Sequence, residues 1–400
     1  MKILFITQYF YPENFRGNDI AFELAKENDV HVLCGTPNYP QGKFYSGYGW
    51  VRRNNEIVNG VKVTRLPIIP RGNNVLSLFL NYYSFMIVSW VYILFHAIFH
   101  KYDCVLVQQL SPVMMSVPAI LYKKLRHVPL YTWVLDLWPE SLTAGGGIKN
   151  PYILKYFASY AAREYKWSDK ILVSSNSFKQ AILKYGPYDD KLIYFPQWAE
   201  DSFVNENSDE SLPFIPEGFK VMFAGNVGEA QDFESIMAAA LECKNRKEIK
   251  WLIVGDGRKS NWVRTFVEQN DLTDTVYLYG HYPIQKMPAF FKKADVMLVS
   301  LKKSEILSLT APAKIQAYMA ASKPIIAMMD GEGADLVNKA QCGYTAPAGD
   351  YIKLVELVNL SANLSMDELK DCGKKGYQFY KRYFNKYTCL MHLKSILNSL

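Results

Sequence analysis

The chain lacks most of the local signatures that announce a chemistry. Its six cysteines (34, 104, 243, 342, 372 and 389) form no CxxC pair. They read as small buried hydrophobes in a reducing compartment, which excludes a disulfide framework and a cysteine metal site. His31, His96, His127 and His281 stand apart from serine, cysteine or metal-spaced partners, so neither a hydrolytic triad nor a zinc site is expected. No GxGxxG follows the first apolar run, Gly255-Asp-Gly-Arg-Lys-Ser260 lacks the third glycine, and no Walker lysine motif occurs. These absences count against a dehydrogenase and an NTPase. The net charge of +7, from 45 basic and 38 acidic residues, is no nucleic-acid signature, but it suits an anionic small molecule or membrane surface. Met1–Phe10 lacks a small-residue cleavage site and reads as a first buried strand, so the expected location is cytoplasmic.

One absence stands out along the chain. From Gly72 to His100 there is no Asp, Glu, Lys or Arg, and Leu76–Phe99 is strongly apolar. By length this could span a bilayer. Strand-like runs on either side, Val61–Leu66 and Cys104–Gln108, argue against a span, because two strands of one sheet cannot lie on opposite sides of a membrane. Beside the disfavoured span stand two further readings: a buried crossover helix, or one dipping into one leaflet with Tyr82, Tyr83, Trp90 and Tyr92 near the interface.

What is present is a globular composition, half hydrophobic and 21% charged, long enough for two domains. Strands are expected at Ile3–Thr7, Val30–Cys34, Val61–Leu66, Cys104–Gln108, Leu130–Leu135, Ile171–Ser174 and Leu192–Phe195. Helices alternate with them at Asp19–Glu27, Leu76–Phe99, Val113–Leu125, Pro151–Trp167 and Ser177–Lys184. After a polar linker the alternation restarts, with strands at Val221–Gly225, Trp251–Gly255, Val276–Tyr279, Val296–Val299 and Pro324–Met328. The fold class is therefore α/β, two doubly wound parallel-sheet domains facing a cleft. The boundaries are a first domain over 1–200, a linker over 201–218, a second domain over 219–382, and a terminal segment over 383–400 that crosses back to brace the first.

Glycine turns follow three strands of the second half: Gly225 and Gly228, Gly255 and Gly257, and Gly280 before His281 and Tyr282. Glycine lets a backbone approach phosphate, and a following helix adds its positive end. A further helix opens at Thr310-Ala311-Pro312-Ala313 beside Lys314, where unpaired amides and a cation make an anion seat. In the first half, Gly17 and Asn18 sit between the first strand and helix, and Asp136 and Glu140 put two carboxylates after a central strand. The bland alternatives are turn geometry for the glycines and capping for Asn18 and Asp136.

Taken together, Gln8–Glu13, Asn38–Gly42, Asp136–Ser141, Phe223–Gln231, Ile253–Gly257 and Pro312–Ala320 resemble a GT-B glycosyltransferase. More narrowly they resemble family 4 of the retaining enzymes, in the branch of bacterial N-acetyl-L-fucosamine transferases of O-antigen and capsule assembly. The resemblance implies transfer from a UDP-sugar, with no metal and no further cofactor, to a polyprenyl-diphosphate-linked acceptor at the inner membrane face. It also exposes departures. Asn226 and Gln231 stand where the family has an Arg and a Lys on the diphosphate, so Lys314 and Arg258 become the replacement cations. Leu309 and Ala317 stand where it has two glutamates, and Glu305 becomes the candidate substitute. Asp136 and Glu140 are then expected to orient the acceptor. A sugar-nucleotide epimerase and an inactive membrane-associated scaffold are the competing readings.

Overall fold

The computed structural model describes residues 1–72, 74–203 and 211–399, with only the backbone of 75 and 144–146. Two compact units emerge, Met1–Phe195 with Leu390–Leu400, and Pro196–Cys389. Residues 204–210 of the expected linker lie outside the described part.

The first unit runs β1 (Lys2–Ile6), α1 (Arg16–Leu24), β2 (Asp29–Gly35), β3 (Asn55–Val58), β4 (Val61–Leu66), α2 (Val75–Phe99) and β5 (Cys104–Gln109). It continues with α3 (Val117–Arg126), β6 (Leu130–Val134), α4 (Glu140–Gly146), α5 (Pro151–Trp167), β7 (Lys170–Val173), α6 (Phe178–Leu183) and β8 (Leu192–Tyr194). The sheet order is β3-β4-β2-β1-β5-β6-β7-β8, parallel except for β3. That hairpin is absent from the alternation read above, although Asn59-Gly60 joins the paired Val58 and Val61 with both turn residues at positive φ. Asn-Gly is the favoured pair for such a two-residue turn.

The apolar helix α2 buries one stripe, with Tyr82, Phe85, Ser89, Ile93 and Ala97 nearly inaccessible at helical spacing. The opposite stripe is also apolar and faces outward, with Leu76 70%, Ile87 54%, Phe95 61% and Phe99 80% exposed. Full burial is therefore corrected, because α2 covers the sheet with half its circumference only. Its flanking strands β4 and β5 lie in one sheet, as the argument against a span requires.

The second unit runs β9 (Phe219–Ala224), α7 (Phe233–Glu242), β10 (Ile249–Val254), α8 (Ser260–Gln269), β11 (Val276–Gly280), α9 (Met287–Lys293), β12 (Val296–Ser300) and α10 (Glu305–Ser308). Then come α11 (Ala313–Ala320), β13 (Ile325–Met328), α12 (Glu332–Ala340), β14 (Gly343–Ala346), α13 (Tyr351–Asn363), α14 (Met366–Tyr383) and α15 (Lys386–Leu397). All six strands are parallel, in the order β11-β10-β9-β12-β13-β14. Its core joins Phe223, Ile236, Met237, Trp251, Leu298 and Met328. The stretch from α12 to α13 carries a sixth strand that the reading above left unassigned.

α14 remains with the second unit, where a Cβ on Gly373 would come within 2.1 Å of the Ser322 carbonyl. The end of α15 belongs to the first. There Lys394 bridges Glu23 of α1 (3.1 Å) and Glu27 just after it (2.9 Å), and the Tyr131 hydroxyl donates to the Leu397 carbonyl at 3.3 Å.

Candidate functional site

In the second unit the strand order reverses between β9 and β12, and ligands of open parallel sheets bind outside the strands' C-terminal ends at that reversal. The loops there pack backbone against backbone. A Cβ on Gly255 would lie 1.8 Å from the Gly225 carbonyl, and one on Gly257 would lie 2.3 Å from that of Val227. Gly225 and Gly255 hold φ of +129° and +149°, open to glycine and rarely adopted by L side chains. The Val227 amide donates to the Asp256 carbonyl at 2.9 Å and locks the two turns together. Gly228 lies against the side chains of Asn226 and Gln231. The Gln231 Oε1 is buried with no hydrogen-bond partner, and so is that of Gln316 on α11.

Lys314 reaches this cluster from the first turn of α11. A Cβ on Gly225 would come 2.7 Å from its Cε, and its Nζ lies 3.8 Å from the centre of the Phe223 ring. No carboxylate meets the ammonium among the described residues. The residue is half-buried as a whole, and desolvation of the ammonium pushes its pKa down to about 7. Tyr318, one turn further on, ties α11 to β9, since its hydroxyl donates to the Ala224 carbonyl (3.2 Å) and accepts from the Ala224 amide (3.3 Å).

The helix start needs correction. α11 opens at Ala313 with Pro312 as its N-cap, not at Thr310. The Thr310 amide and hydroxyl both donate to the Leu307 carbonyl, at 3.1 and 2.7 Å, and so close the short α10. Pro312 has no N–H and an extended ψ of 131°. Of the four residues Thr310, Ala311, Pro312 and Ala313, the anion seat thus keeps the amide of Ala313 from α11 itself, followed by that of Lys314. Arg258 is exposed in the turn before α8, and His281 is exposed after β11, two strands away from β9. Tyr282 packs on Phe290, ring centres 4.8 Å apart. Glu305 is exposed on α10. None of these four meets Lys314 among the described residues.

The first unit reverses its strand order between β1 and β5. Gly17 lies in the first turn of α1, with the Gln108 side-chain oxygen 2.1 Å from where a Cβ would stand. Asn18 is a loop latch, donating to the Glu13 carbonyl (2.7 Å) and accepting from the Tyr11 amide (3.1 Å). The N-cap is Phe15. Asp136 accepts from the Ser111 hydroxyl at 2.8 Å, which in turn accepts from the Trp138 indole at 3.1 Å, and burial raises the Asp136 pKa. Glu140 stands in the first turn of α4 and acts on Tyr165 and Tyr185, so the two carboxylates do not form a pair.

From the sequence alone Glu13, Tyr9, Tyr82 and Arg71 receive no site role, although Glu13 and Tyr9 lie in Gln8–Glu13 and Tyr39 in Asn38–Gly42, two of the stretches that carry the resemblance. Glu13 is buried and accepts the amides of Phe10, Asn38 and Tyr39 at 3.2, 2.8 and 2.7 Å. Burial nevertheless lifts its pKa to about 7.

Comparison with known proteins points one way. Residues 218–360 match the family model described as glycosyl transferases group 1. A Pseudomonas aeruginosa protein named as probable glycosyltransferase WbjE is 29% identical over 271 residues, 63% of this chain and 66% of that protein. The match thus spans just under two thirds of that relative. The Escherichia coli K12 protein WcaI, named for colanic acid biosynthesis, is 23% identical over 76% of this chain and 77% of its own length. Among solved structures, Anabaena HepE, crystallised with UDP, superposes over 100% of both chains with a TM-score of 0.69 at 13% identity, a likeness of fold.

Proposed function

Taking the chain as a glycosyltransferase of the group 1 family, whose model its second unit matches, we propose that it moves a sugar from a UDP-sugar during bacterial surface-polysaccharide assembly. The donor sugar is of the N-acetyl-L-fucosamine type, and the acceptor is a saccharide carried on a polyprenyl diphosphate. The observation that carries this reading is the Lys314 ammonium, desolvated and without a counter-ion among the described residues at the strand reversal of the second unit. A diphosphate supplies the missing negative charge. The Ala313 and Lys314 amides add the positive end of α11.

In such a transfer the bond between the sugar's anomeric carbon and the diphosphate oxygen breaks, and negative charge develops on that oxygen. In this reading Lys314 and the α11 amides hold that charge, and the reaction needs no metal ion. In a retaining reaction the acceptor hydroxyl attacks from the face that UDP leaves, and the departing phosphate takes its proton. Asp136, poised by Ser111, orients the acceptor.

Thermal unfolding with UDP tests the donor half. Saturating UDP is expected to raise the melting temperature, corresponding to about 2.7 kcal/mol at a hundredfold excess over the dissociation constant. No shift at millimolar UDP would sink the enzyme reading in favour of the scaffold. With UDP bound, a screen of radiolabelled UDP-sugars reads which sugar passes to a lipid extract.

The chain acts at the inner face of the membrane in this reading, supported by the exposed apolar stripe of α2 and the basic Lys101, Lys123, Lys124 and Arg126 nearby. Between α2, α3 and α5 lies a cavity of about 400 Å³ lined by Ile87, Trp90, Leu121, Lys124 and Trp167, which widens that apolar face. The protein is expected to sediment with phosphatidylglycerol vesicles without detergent, and the double substitution Ile87→Ser, Phe95→Ser to release it. Wild-type protein that stays in the supernatant would refute the membrane half alone.

A further inference from the structure

Two arginines are drawn into the first unit near the ends of β2 and β4, and they are treated differently. Arg65 is paired: its guanidinium meets Glu56 at 2.6 Å and donates to the carbonyls of Arg53 (3.2 Å) and Tyr11 (2.8 Å). Arg71 is not. Its guanidinium lies 5.3 Å from the centre of the Tyr39 ring, its Nη1 reaches the Tyr9 hydroxyl at 3.5 Å, and the Tyr82 hydroxyl also bonds it. Tyr9 and Tyr82 are 3% and 5% exposed, so the cation stands among largely dehydrated phenols. The carboxylates in the neighbourhood have other partners, since Glu13 accepts three backbone amides and Asp136 accepts from Ser111. No carboxylate meets Arg71 among the described residues. Arg71 is half-buried, so its guanidinium has lost part of its water without gaining a counter-ion there, and a ligand anion relieves that cost.

The position adds the rest. Tyr9 follows β1, Tyr39 follows β2, Arg71 follows β4 and Trp138 follows β6, so the group gathers at the C-terminal ends of the parallel strands. Tyr82 also meets Trp138, ring centres 6.4 Å apart, which links the arginine to the loop carrying Asp136. The Arg71 amide donates to the Asn38 side chain at 2.8 Å, fixing the backbone from which the side chain departs. Immediately after Arg71 the chain enters α2, whose outward stripe begins at Leu76 and Leu80. A planar guanidinium suits phosphate oxygens, and the exposed apolar stripe of α2, the helix that also carries Tyr82, suits a hydrocarbon attached to that phosphate.

We propose that Arg71, held by Tyr9, Tyr39 and Tyr82, binds the diphosphate of a prenyl-diphosphate-linked acceptor, with the hydrocarbon leaving along the exposed stripe of α2. The assignment rests on the transferase reading for the word acceptor, but not for the binding itself. The test is calorimetric titration of the full chain with inorganic pyrophosphate and with farnesyl diphosphate, both in saturating UDP so that the donor seat is filled. Farnesyl diphosphate is expected to bind saturably and more tightly than pyrophosphate. Arg71→Gln should weaken both by about tenfold or more, the scale of a lost charged hydrogen bond, while Arg71→Lys retains part of the affinity. The UDP dissociation constant of both variants should stay within error of the wild type. Phenylglyoxal labelling of wild-type Arg71, read by peptide mass spectrometry, should be suppressed by farnesyl diphosphate, a measurement independent of any variant's folding. Unchanged affinity in Arg71→Gln, or labelling that farnesyl diphosphate does not suppress, would overturn the assignment. Equal affinity for the two probes would overturn its hydrocarbon half. A chain that fails to bind UDP but passes these tests would count against the donor reading and leave Arg71 assigned.

Discussion

Lys314→Ala is expected to weaken UDP binding by roughly 10- to 100-fold and to remove its dependence on pH near neutrality. The free ammonium has a pKa pushed down to about 7, because burial strips its water, and no carboxylate among the described residues replaces it. A bound diphosphate provides that counter-charge and raises the pKa in the complex. Binding therefore takes up a proton above pH 7. The sign follows: affinity is flat with respect to Lys314 below pH 7 and falls as pH rises through it, approaching tenfold per unit until the raised pKa is reached. Calorimetry at pH 8 in buffers of different ionisation enthalpy counts the proton directly. Lys314→Arg, which keeps the charge, should restore part of the affinity without the inflection. The stem has little freedom to swing away, since Gly225 faces Cε and the Phe223 ring faces Nζ. An alanine variant with the wild-type dissociation constant would remove Lys314 from the phosphate site.

How far this site could be read from the sequence depends on the range over which it is assembled. Gly225, Gly255 and Gly257 were readable, because a glycine directly after a buried parallel strand signals close backbone approach, and their turns do interlock. Lys314 was readable from its place at a helix start. The exact start was not: Thr310 carries the chemistry of an N-cap, yet it closes α10 through Leu307 instead. Arg258, His281 and Tyr282 follow strands just as the glycines do, but Arg258 turns outward from the turn that locks onto the β9 loop, and β10 separates β11, with His281 and Tyr282, from β9. Sequence position after a strand does not say toward which neighbour a side chain turns. Arg71 was hidden for a different reason. Its meaning comes from Tyr9, Tyr39 and Tyr82, which only the sheet order brings together. The antiparallel β3 was open to detection through Asn59-Gly60 and was obscured by the exposed, mixed composition of Asn55–Val58.

The histidines were dismissed for want of partners in sequence, and the folded first unit supplies them. His31 on β2 contacts the Tyr102 hydroxyl through Nδ1 and the Thr64 hydroxyl through Nε2 at 2.9 Å. Thr64 donates to the Asn55 side chain at 2.8 Å, so it accepts from His31, and the proton of neutral His31 sits on Nε2. Tyr102 then donates to His31 Nδ1 and accepts from His96 Nε2 at 2.9 Å. Every proton in this chain is assigned while both rings are neutral. A second proton on His31 Nδ1 would face the Tyr102 O–H. Burial lowers both pKa values to about 4, helped by His100, stacked 4.0 Å from His96, and for His31 also by Lys62, against a weaker opposing pull from Asp29.

A histidine whose folded pKa is depressed contributes stability above its unfolded value of 6.5 and loses it as pH falls toward 4. For His31 that is roughly 3 kcal/mol, and less for the more exposed His96. Buried carboxyls oppose the effect: Glu13, raised to about 7, and Glu164, raised by burial with neither oxygen hydrogen-bonded among the described residues, favour the folded state as they protonate. The total pH profile is therefore shallow, and the informative quantity is a difference. His31→Gln cannot take up the proton. It should be less stable than wild type at pH 7.5, for its lost packing and hydrogen bonds, and should regain about 3 kcal/mol relative to wild type by pH 4. Parallel denaturant unfolding of the two proteins, followed by near-ultraviolet signals of the first unit, reads that difference. A gap between variant and wild type that stays constant from pH 7.5 to 4 would mean that His31 titrates in the fold as it does in the unfolded chain, and that the tautomer chain through Tyr102 does not hold it neutral.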